Sequence, residues 1–421
     1  MEKRAIMRSA KAVLQSEGFA VDKLMAPRQA VVAFLSHVTP TAPGRELVAL
    51  EEALGRVLAG TIEADDDYPN AARSAMDGFA LASAQTPGTF TIAGEVRMGG
   101  APIAAAGTGT AMRIPTGGTL PAGADAVVPI EDTVVDGSTV RVAARVESGE
   151  NVVARGDDMR RGETILKNGK RIGAPQLGVL ATLGIVDVPV YCRPRIAVLS
   201  SGDELVEPSQ MPQPGQIRDS NRYAIAASLR AMGAQPHHYP TLRDEADEFE
   251  RALARAVAEC DAVVVTGGSS VGERDRLPAA VASLGEPGVV VHGLRLKPGK
   301  PTLFGAIGAK PILGLPGNPT SALMVLEAVA APIVAVLTGA PVQTGTVVAR
   351  LAESANSRPG WTWYVPVAIG DEGGGPVAHP LPLRSFSVSL TARADGYVIM
   401  DEREEHWPAG TTVTVHRFAA S

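Results

Sequence analysis

The chain has 421 residues, 45% hydrophobic and 20% charged, with a formal net charge of −6. That length exceeds one ordinary core and points to about two to four domains. The acidic balance, with no Lys/Arg block, argues against nucleic-acid binding, and two isolated cysteines, Cys192 and Cys260, exclude a disulfide scaffold or zinc finger and fit a reducing cytoplasm. Forty-five Gly and 32 Pro imply many turns and substantial β content. The first residues hold no continuous apolar segment of signal-peptide type. The longest apolar stretch, 328–337, is interrupted by Pro332 and too short to span a bilayer. A soluble, cytoplasmic protein with no membrane or nucleic-acid partner is expected.

Residues 1–25 read as an N-terminal extension without a closing motif. Helical spacing follows in RQAVVAFLSHV and in ELVALEEALGRVL, where apolar residues recur at three- and four-residue steps. Between about 69 and 153 short Val/Ile/Thr segments are separated by Gly and Pro, the texture of an all-β domain. A helix returns at 174–183 and ends on Gly184, a suitable C-cap. The helical pieces predict one discontinuous helical linker domain (26–66 and 156–190) with a β domain inserted at 67–155. Strand and helix alternate over 191–340, which predicts a doubly wound α/β layer with a mostly parallel sheet. Within it, the segment DEADEFERALARAVAEC places Ala246, Phe249, Leu253, Val257 and Cys260 on one helix face. From 341 to 421 the pattern is β again, so a small barrel or sandwich closes the chain.

The run DAVVVTGGSSVGERDR at 261–276 carries the strongest chemical signal. An apolar strand feeds a Gly/Ser loop at its carboxyl end, where open α/β sheets place their ligands. Glycines, Gly272 among them, let backbone N–H groups approach an anion, and Ser269 and Ser270 add donors. Asp275 suits such a loop if a cation such as Mg2+ lies between it and a phosphate. Asp203 and Glu204 also follow an apolar strand, so their side chains converge with Asp275 on one sheet edge. Asp77, Asp157, Asp158, Asp219 and Asp244 sit in polar or Gly-rich loops. For Asp219 and Asp244, each ahead of a helix, a capping role fits as well as a functional one. In LKPGKP, a Pro-Gly bend aims Lys297 and Lys300 at one place, as an oxyanion needs. In LPGNP, Pro316, Gly317 and Asn318 lead into a helix whose N-terminus attracts anions. The loop at Thr116, Gly117 and Gly118 offers further N–H donors. Together these suit an anionic, phosphate-bearing ligand bridged by Mg2+.

Taken in order, SAMDGFA (74–80), PTGGTLPAGADAVV (115–128), GENVVARGDD (149–158), SSGDEL (200–205), GQIRDSNR (215–222), GGSSVGERD (267–275), LKPGKP (296–301) and LPGNPTSAL (315–323) resemble the MoeA family of molybdopterin molybdenumtransferases, which includes the gephyrin E domain. The resemblance covers about residue 47 to the C-terminus. It implies a MoaB-like α/β domain that binds molybdopterin and a homodimer whose sites each combine loops from both subunits. It also implies Mg2+-dependent insertion of molybdate, the substrate, into adenylylated molybdopterin with release of AMP. By that analogy Asp77, Thr116, Glu204, Asp244 and Asp275 are catalytic, and Asp158, Glu204, Asp244 and Asp275 hold the metal. Lys297 and Lys300 hold phosphate or oxyanion, while Ser269, Ser270, Gly272, Pro316, Gly317 and Asn318 cradle the pterin-phosphate. Molybdopterin adenylyltransferase and molybdoenzyme apoproteins are the implied partners. The chain departs from the family at Ala71 and Ala72, at Phe79 in place of Tyr, at Trp361 in place of Arg after Gly360, and at Pro366 in place of Arg. A scaffold paralogue without turnover, or a nucleotide-processing enzyme on the same α/β layer, are the competing readings.

Overall fold

The computed structural model describes residues 24–100, 106–243, 245–267, 276–342, 345–371 and 373–418. Asp244 and the loop bearing Ser269, Ser270, Gly272 and Asp275 lie outside them, as does the extension up to residue 23. The chain divides into two compact units: one holds Asp187–Ser421, Gly169–Leu177 and the chain up to Ala59, the other Gly60–Asn168 and Gly178–Val186.

The first helix, α1 (Pro27–His37), starts on a proline whose missing N–H costs nothing at that position. Its buried face, Ala30, Ala33 and Phe34, packs into the core of the α/β layer, where Phe34 meets Phe304 edge to face at 6.0 Å. The second helical pattern is not a helix. Residues Arg45–Ala49 form strand β1, followed by a single 3-10 turn at Leu50–Glu52. β1 pairs antiparallel with the strand at Asp187–Tyr191, from Arg45 opposite Tyr191 to Ala49 opposite Asp187. Leu47 therefore points out, 68% exposed, while Val48 is buried. The long-range ladder overrides a local spacing that reads equally well as helix.

The inserted unit carries a six-stranded sheet of β2 (Gly78–Leu81), β3 (Gly88–Glu95), β4 (Thr110–Ile114), β5 (Ala126–Pro129), β6 (Thr133–Asp136) and β7 (Thr139–Val142), in spatial order β5-β2-β4-β3-β7-β6. Alternation splits its residues between two small cores: Phe79, Leu81, Phe90 and Val128 on one face, Ala80, Met112, Ile114 and Val127 on the other. β2 is buried along its whole length. Phe79 sits at 0% exposure with the Arg113 guanidinium 5.4 Å above its ring, a setting in which the missing tyrosine hydroxyl is not needed. Helix α2 (Ala174–Thr182) ends through Gly184, at φ +68°, whose N–H donates to the Ala181 carbonyl. The strand Asp187–Tyr191 is β8.

The α/β layer follows as β9 (Arg195–Ser200), α3 (Asn221–Ala231), β10 (Gln235–His238), α4 (Ala246–Glu259), β11 (Ala262–Thr266), α5 (Leu277–Leu284), β12 (Pro287–His292), β13 (Leu303–Ile307) and β14 (Lys310–Leu315). Their spatial order is β10-β9-β11-β14-β13-β12, parallel from β10 to β14 and antiparallel beyond. Ile196, Val198, Val264 and Leu313 face a core shared with α1 and α3. Their neighbours Ala197, Leu199, Val263, Val265 and Ile312 face α4 and α5. Apolar residues on both faces of each strand are what a sheet covered on two sides requires. On α4, Phe249, Leu253 and Cys260 are buried with Val257 partly so, as the helical spacing predicts. Next, α6 (Pro319–Val325) runs through a π-helical turn at Leu326–Ala330 into α7 (Ala331–Thr338). The wide turn falls just ahead of Pro332, where an ordinary helix would lose a hydrogen bond. The helical run Pro319–Thr338 is longer than the 328–337 stretch and is long and apolar enough to cross a bilayer, but 72% of its most apolar window is buried inside the fold. That is the setting of a core helix.

Strands β15 (Thr346–Leu351), β16 (Thr362–Asp371), β17 (Pro376–Pro380), β18 (Gly396–Met400) and β19 (Thr412–Arg417), with α8 (Val388–Arg393) between β17 and β18, close the chain. The order β16-β17-β15-β19-β18 returns to β16 through a β16–β18 pairing, so the five strands form a closed barrel. The two-residue strand Leu296–Lys297 adds to its rim by pairing parallel with Thr362 and Trp363.

One buried charge cluster fixes the loops after β9. The Arg222 side chain, at the start of α3, donates to the Tyr239 carbonyl and to Glu207, and its Nε stands 3.5 Å from Asp219 Oδ2. That last contact is Coulombic only, since neither atom completes a hydrogen bond. Asp219 Oδ1 accepts from the Arg222 N–H, so this acid caps the helix start as one of its two sequence readings held. Burial pulls the Arg222 pKa down, but the Glu207 hydrogen bond and the Asp219 and Glu207 charges outweigh it and hold the guanidinium above its usual value. Glu207 is held below its usual value mainly by that same hydrogen bond. Its contribution is therefore present above the ordinary glutamate pKa of 4.5 and lost as pH falls through the lower folded value. Arg222→Ala is expected to cost about 3–5 kcal/mol by urea denaturation, because it strands Asp219 at 1% exposure. A loss under about 1 kcal/mol would show that the cluster carries no stability.

Candidate functional site

In the inserted unit, Asp77 and Thr116 come together. The Thr116 N–H donates to Asp77 Oδ1 at 2.7 Å and the Thr116 hydroxyl to the same oxygen at 3.1 Å. The turn that presents Asp77 is held by Ser74, whose hydroxyl donates to the Met76 carbonyl. Gly78 follows because a Cβ there would lie 2.0 Å from the Val128 carbonyl oxygen. The expected free donors of the 116–118 loop are not free. Besides Thr116, the Gly117 N–H goes to the Ser74 carbonyl and the Gly118 N–H to that of Pro115. The loop thus spends its donors on orienting Asp77 and closing on itself. Both Asp77 and Thr116 are exposed, and Asp77 Oδ2 stays outside this pairing.

Asp158 is exposed in the same unit, its N–H bonded to the Tyr68 carbonyl and its carboxylate without a hydrogen bond or ion pair among the described residues. The paired acid is Asp67, the chain neighbour of the Tyr68 that accepts from Asp158. The Arg161 N–H and the Arg155 side chain hold it below the usual carboxylate range against its partial desolvation.

At the α/β sheet, register brings three strand ends level: Ser200 opposite Thr266, and Thr266 opposite Leu315. Their hydroxyls, Ser200 Oγ and Thr266 Oγ1, lie 3.1 Å apart in the core. The loops that leave there pack closely. Gly267, at φ +87°, passes so near Ser201 that a Cβ would stand 2.3 Å from its carbonyl oxygen, and Gly317 lies against Gly267. Glu204 folds back on Gly202, where an added Cβ would meet its carboxylate at 2.6 Å. Glu204 is exposed, without a hydrogen bond or ion pair for its carboxylate among the described residues. Pro316 is buried, whereas Gly317 and Asn318 are exposed, and Asn221 Nδ2 donates to the Gly317 carbonyl at 2.7 Å.

Asn318 occupies the N-cap position of α6 but does not cap it; its amide reaches Ser385 Oγ at 3.4 Å instead. The Thr320 N–H donates to the Ser385 carbonyl, so part of the helix N-terminus is already satisfied by the loop before α8. Beside it opens a cavity of about 390 Å³ lined by Lys297, Lys300, Asn318, Arg358, Trp361 and Trp363. Ser321 and Ser385 add hydroxyls. Among the described residues no acidic side chain lines this cavity, and Lys297, Lys300 and Arg358 have no carboxylate partner. Three cations without counter-charge around hydroxyls and an amide make a receptor for an anion. Arg358, Ser321 and Trp363 were not singled out in sequence. The cluster RPGWTW at 358–363 carries the signal of a cation beside two aromatics, but only the pairing of Leu296–Lys297 with Thr362–Trp363 brings it to Lys297.

The structure therefore joins Asp77 to Thr116, and Lys297 and Lys300 to Asn318. Among the described residues no three His, Cys, Asp or Glu side chains are gathered so as to hold a metal ion. Asp244 and Asp275, half of the expected metal set, lie outside those residues.

Residues 25–184 match the family described as MoeA N-terminal region (domain I and II), residues 197–336 the probable molybdopterin binding domain, and residues 348–418 the MoeA C-terminal region (domain IV). The chain is 32% identical to molybdopterin molybdenumtransferase 2 of Mycobacterium tuberculosis over 381 residues, covering 87% of this chain and 94% of that protein. It is also 32% identical to the Bacillus subtilis molybdopterin molybdenumtransferase over 384 residues, 88% of this chain and 89% of the other. A crystal structure of the molybdopterin biosynthesis MoeA protein from Pyrococcus horikoshii superimposes with a TM-score of 0.77 at 32% identity, covering 94% of this chain and 99% of that one. A three-cation cavity, a probable molybdopterin binding domain between the two MoeA regions and this likeness along nearly the whole length lead to one conclusion: the chain belongs to the MoeA family of molybdopterin molybdenumtransferases, enzymes of molybdenum cofactor biosynthesis.

Proposed function

We propose that this enzyme inserts molybdate into adenylylated molybdopterin, with Mg2+ dependence and release of AMP, acting in the cytoplasm as a homodimer. The observation that carries this reading is the cavity at Lys297, Lys300 and Arg358, which among the described residues is lined by cations and hydroxyls and by no acid. Molybdate and the adenylyl phosphoanhydride are both anions, so their approach to each other needs such a counter-charge. In this reading Lys297 and Lys300 hold the oxyanion or phosphate, and Asn318 with Gly317 and Pro316 borders the pterin-phosphate. Ser269, Ser270 and Gly272 are assigned to the same cradle.

Mg2+ would neutralise phosphate oxygens and carboxylates at once, and Asp158, Glu204, Asp244 and Asp275 are the proposed ligands. The protein's own groups do the rest. Thr116 fixes Asp77 through two hydrogen bonds to one oxygen, leaving Oδ2 to take a proton from the water that cleaves the phosphoanhydride. Glu204, facing outward from the level strand ends, joins Asp244 and Asp275 in that chemistry. As cleavage proceeds negative charge grows on the departing AMP phosphate, and the lysines offset it without moving. The adenylylated substrate would come from a molybdopterin adenylyltransferase, and the finished cofactor would pass to molybdoenzyme apoproteins.

Two measurements test the assignment. Asp275→Asn is expected to abolish AMP release while leaving the thermal melt unchanged; undiminished turnover would remove Asp275 from the mechanism. The shared-site reading predicts complementation between subunits. Asp77→Asn and Glu204→Gln homodimers should each be inactive, while randomly reassorted mixtures recover about a quarter of wild-type AMP release, since half the dimers then carry one intact site. No recovery from dimers shown to have exchanged would place Asp77 and Glu204 in the site of a single subunit.

A further inference from the structure

A lysine that must meet an anion faces a conflict. Its flexible stem has to be ordered in advance, yet the usual device, a neighbouring carboxylate, would cancel its charge and repel the ligand. Lys297 is exposed and lines the cavity together with two other cations, Lys300 and Arg358, whose like charge pushes it away. What it meets instead is an aromatic face: Nζ stands 4.2 Å from the centre of the Trp363 ring. The contact is built into the backbone, since Lys297 and Trp363 are register partners where Leu296–Lys297 joins the barrel rim. Trp363 is itself fixed by pairing with Met400 on β18, and its Nε1 edge is buried. A neutral ring face attracts the ammonium through its quadrupole and leaves the full positive charge available to an anion.

We propose that Trp363 is a positioning residue that stacks under Lys297 and holds its ammonium in the cavity for the oxyanion. The inference rests on the anion-binding reading of this cavity. It concerns how the charge is kept there rather than what the cavity takes. The Arg358–Trp361 contact across the cavity is longer, 5.8 Å, and serves as the internal comparison.

The test is isothermal titration of the full-length protein with molybdate, and separately with inorganic phosphate. Trp363→Leu is expected to weaken binding about 3- to 10-fold, the cost of ordering one free side chain, whereas Trp363→Phe, which keeps a ring face, stays within about 2- to 3-fold. In a Trp361→Phe, Trp407→Phe background Trp363 is the sole tryptophan and can be excited selectively over the tyrosines. Its emission should shift on adding molybdate, and Lys297→Ala should abolish that response. Wild-type affinity in Trp363→Leu would overturn the proposal. So would equal weakening by Leu and Phe with an unmoved Trp363 emission, the pattern of a packing defect. Unchanged binding by Lys297→Ala would sink the oxyanion reading of the cavity, and this inference with it.

Discussion

Three parallel strands that stop level with one another set the terms for the α/β layer. Because Ser200, Thr266 and Leu315 are register partners, the loops that follow them leave the sheet at one edge and must share its space. Glycine is unavoidable there. Gly267 passes a carbonyl where no Cβ fits, and Gly202 yields its side-chain volume to the Glu204 carboxylate. The same crowding keeps the Gly317 loop against its neighbour, with Asn221 tying its carbonyl down. A sheet buried on both faces cannot slip by a residue without exchanging its two cores, so this edge is held by the whole layer rather than by local contacts.

Charge is then sorted by loop. The cations of the cavity come from the Lys297–Lys300 bend and from the segment that enters the barrel, and none has an acid beside it among the described residues. Among the described residues the candidate acids line other loops, three of them held by different devices. Asp77 is held by a threonine, Glu204 lies against a glycine, and Asp219 is spent on a buried arginine. Keeping acids and bases from pairing costs stability that the large shared cores supply. In return Asp77, Glu204 and the cations of the cavity stand without an oppositely charged partner among the described residues, as enzymes commonly arrange for a ligand.

Much of this was legible in the residues. Alternation of Val and Ile runs with helical spacing gave the doubly wound layer, because burial on both faces leaves a continuous apolar strand such as Ala262–Thr266. The Pro-Gly bend did bring Lys297 and Lys300 to one cavity. Other features depend on distant partners and leave no local mark. The spacing in ELVALEEALGRVL suits a helix, and only β8 turns it into a strand. The donors of Thr116, Gly117 and Gly118 looked free because their acceptors, in part, lie some forty residues earlier in the chain. Asn318 looked like a helix cap, yet Ser385, brought alongside by tertiary structure, takes its amide. Arg358 and Trp363 were silent for the same reason, since only the pairing of Leu296–Lys297 with the barrel rim brings them to the lysines.

The central claim is that this chain couples molybdate to cleavage of an adenylyl phosphoanhydride. The most direct measurement is AMP release from adenylylated molybdopterin by the wild-type protein with Mg2+, followed at rising molybdate concentration. The account predicts release that is slow without molybdate and rises with it to saturation. Release at one rate whatever the molybdate concentration would contradict it and mark a plain nucleotide hydrolase.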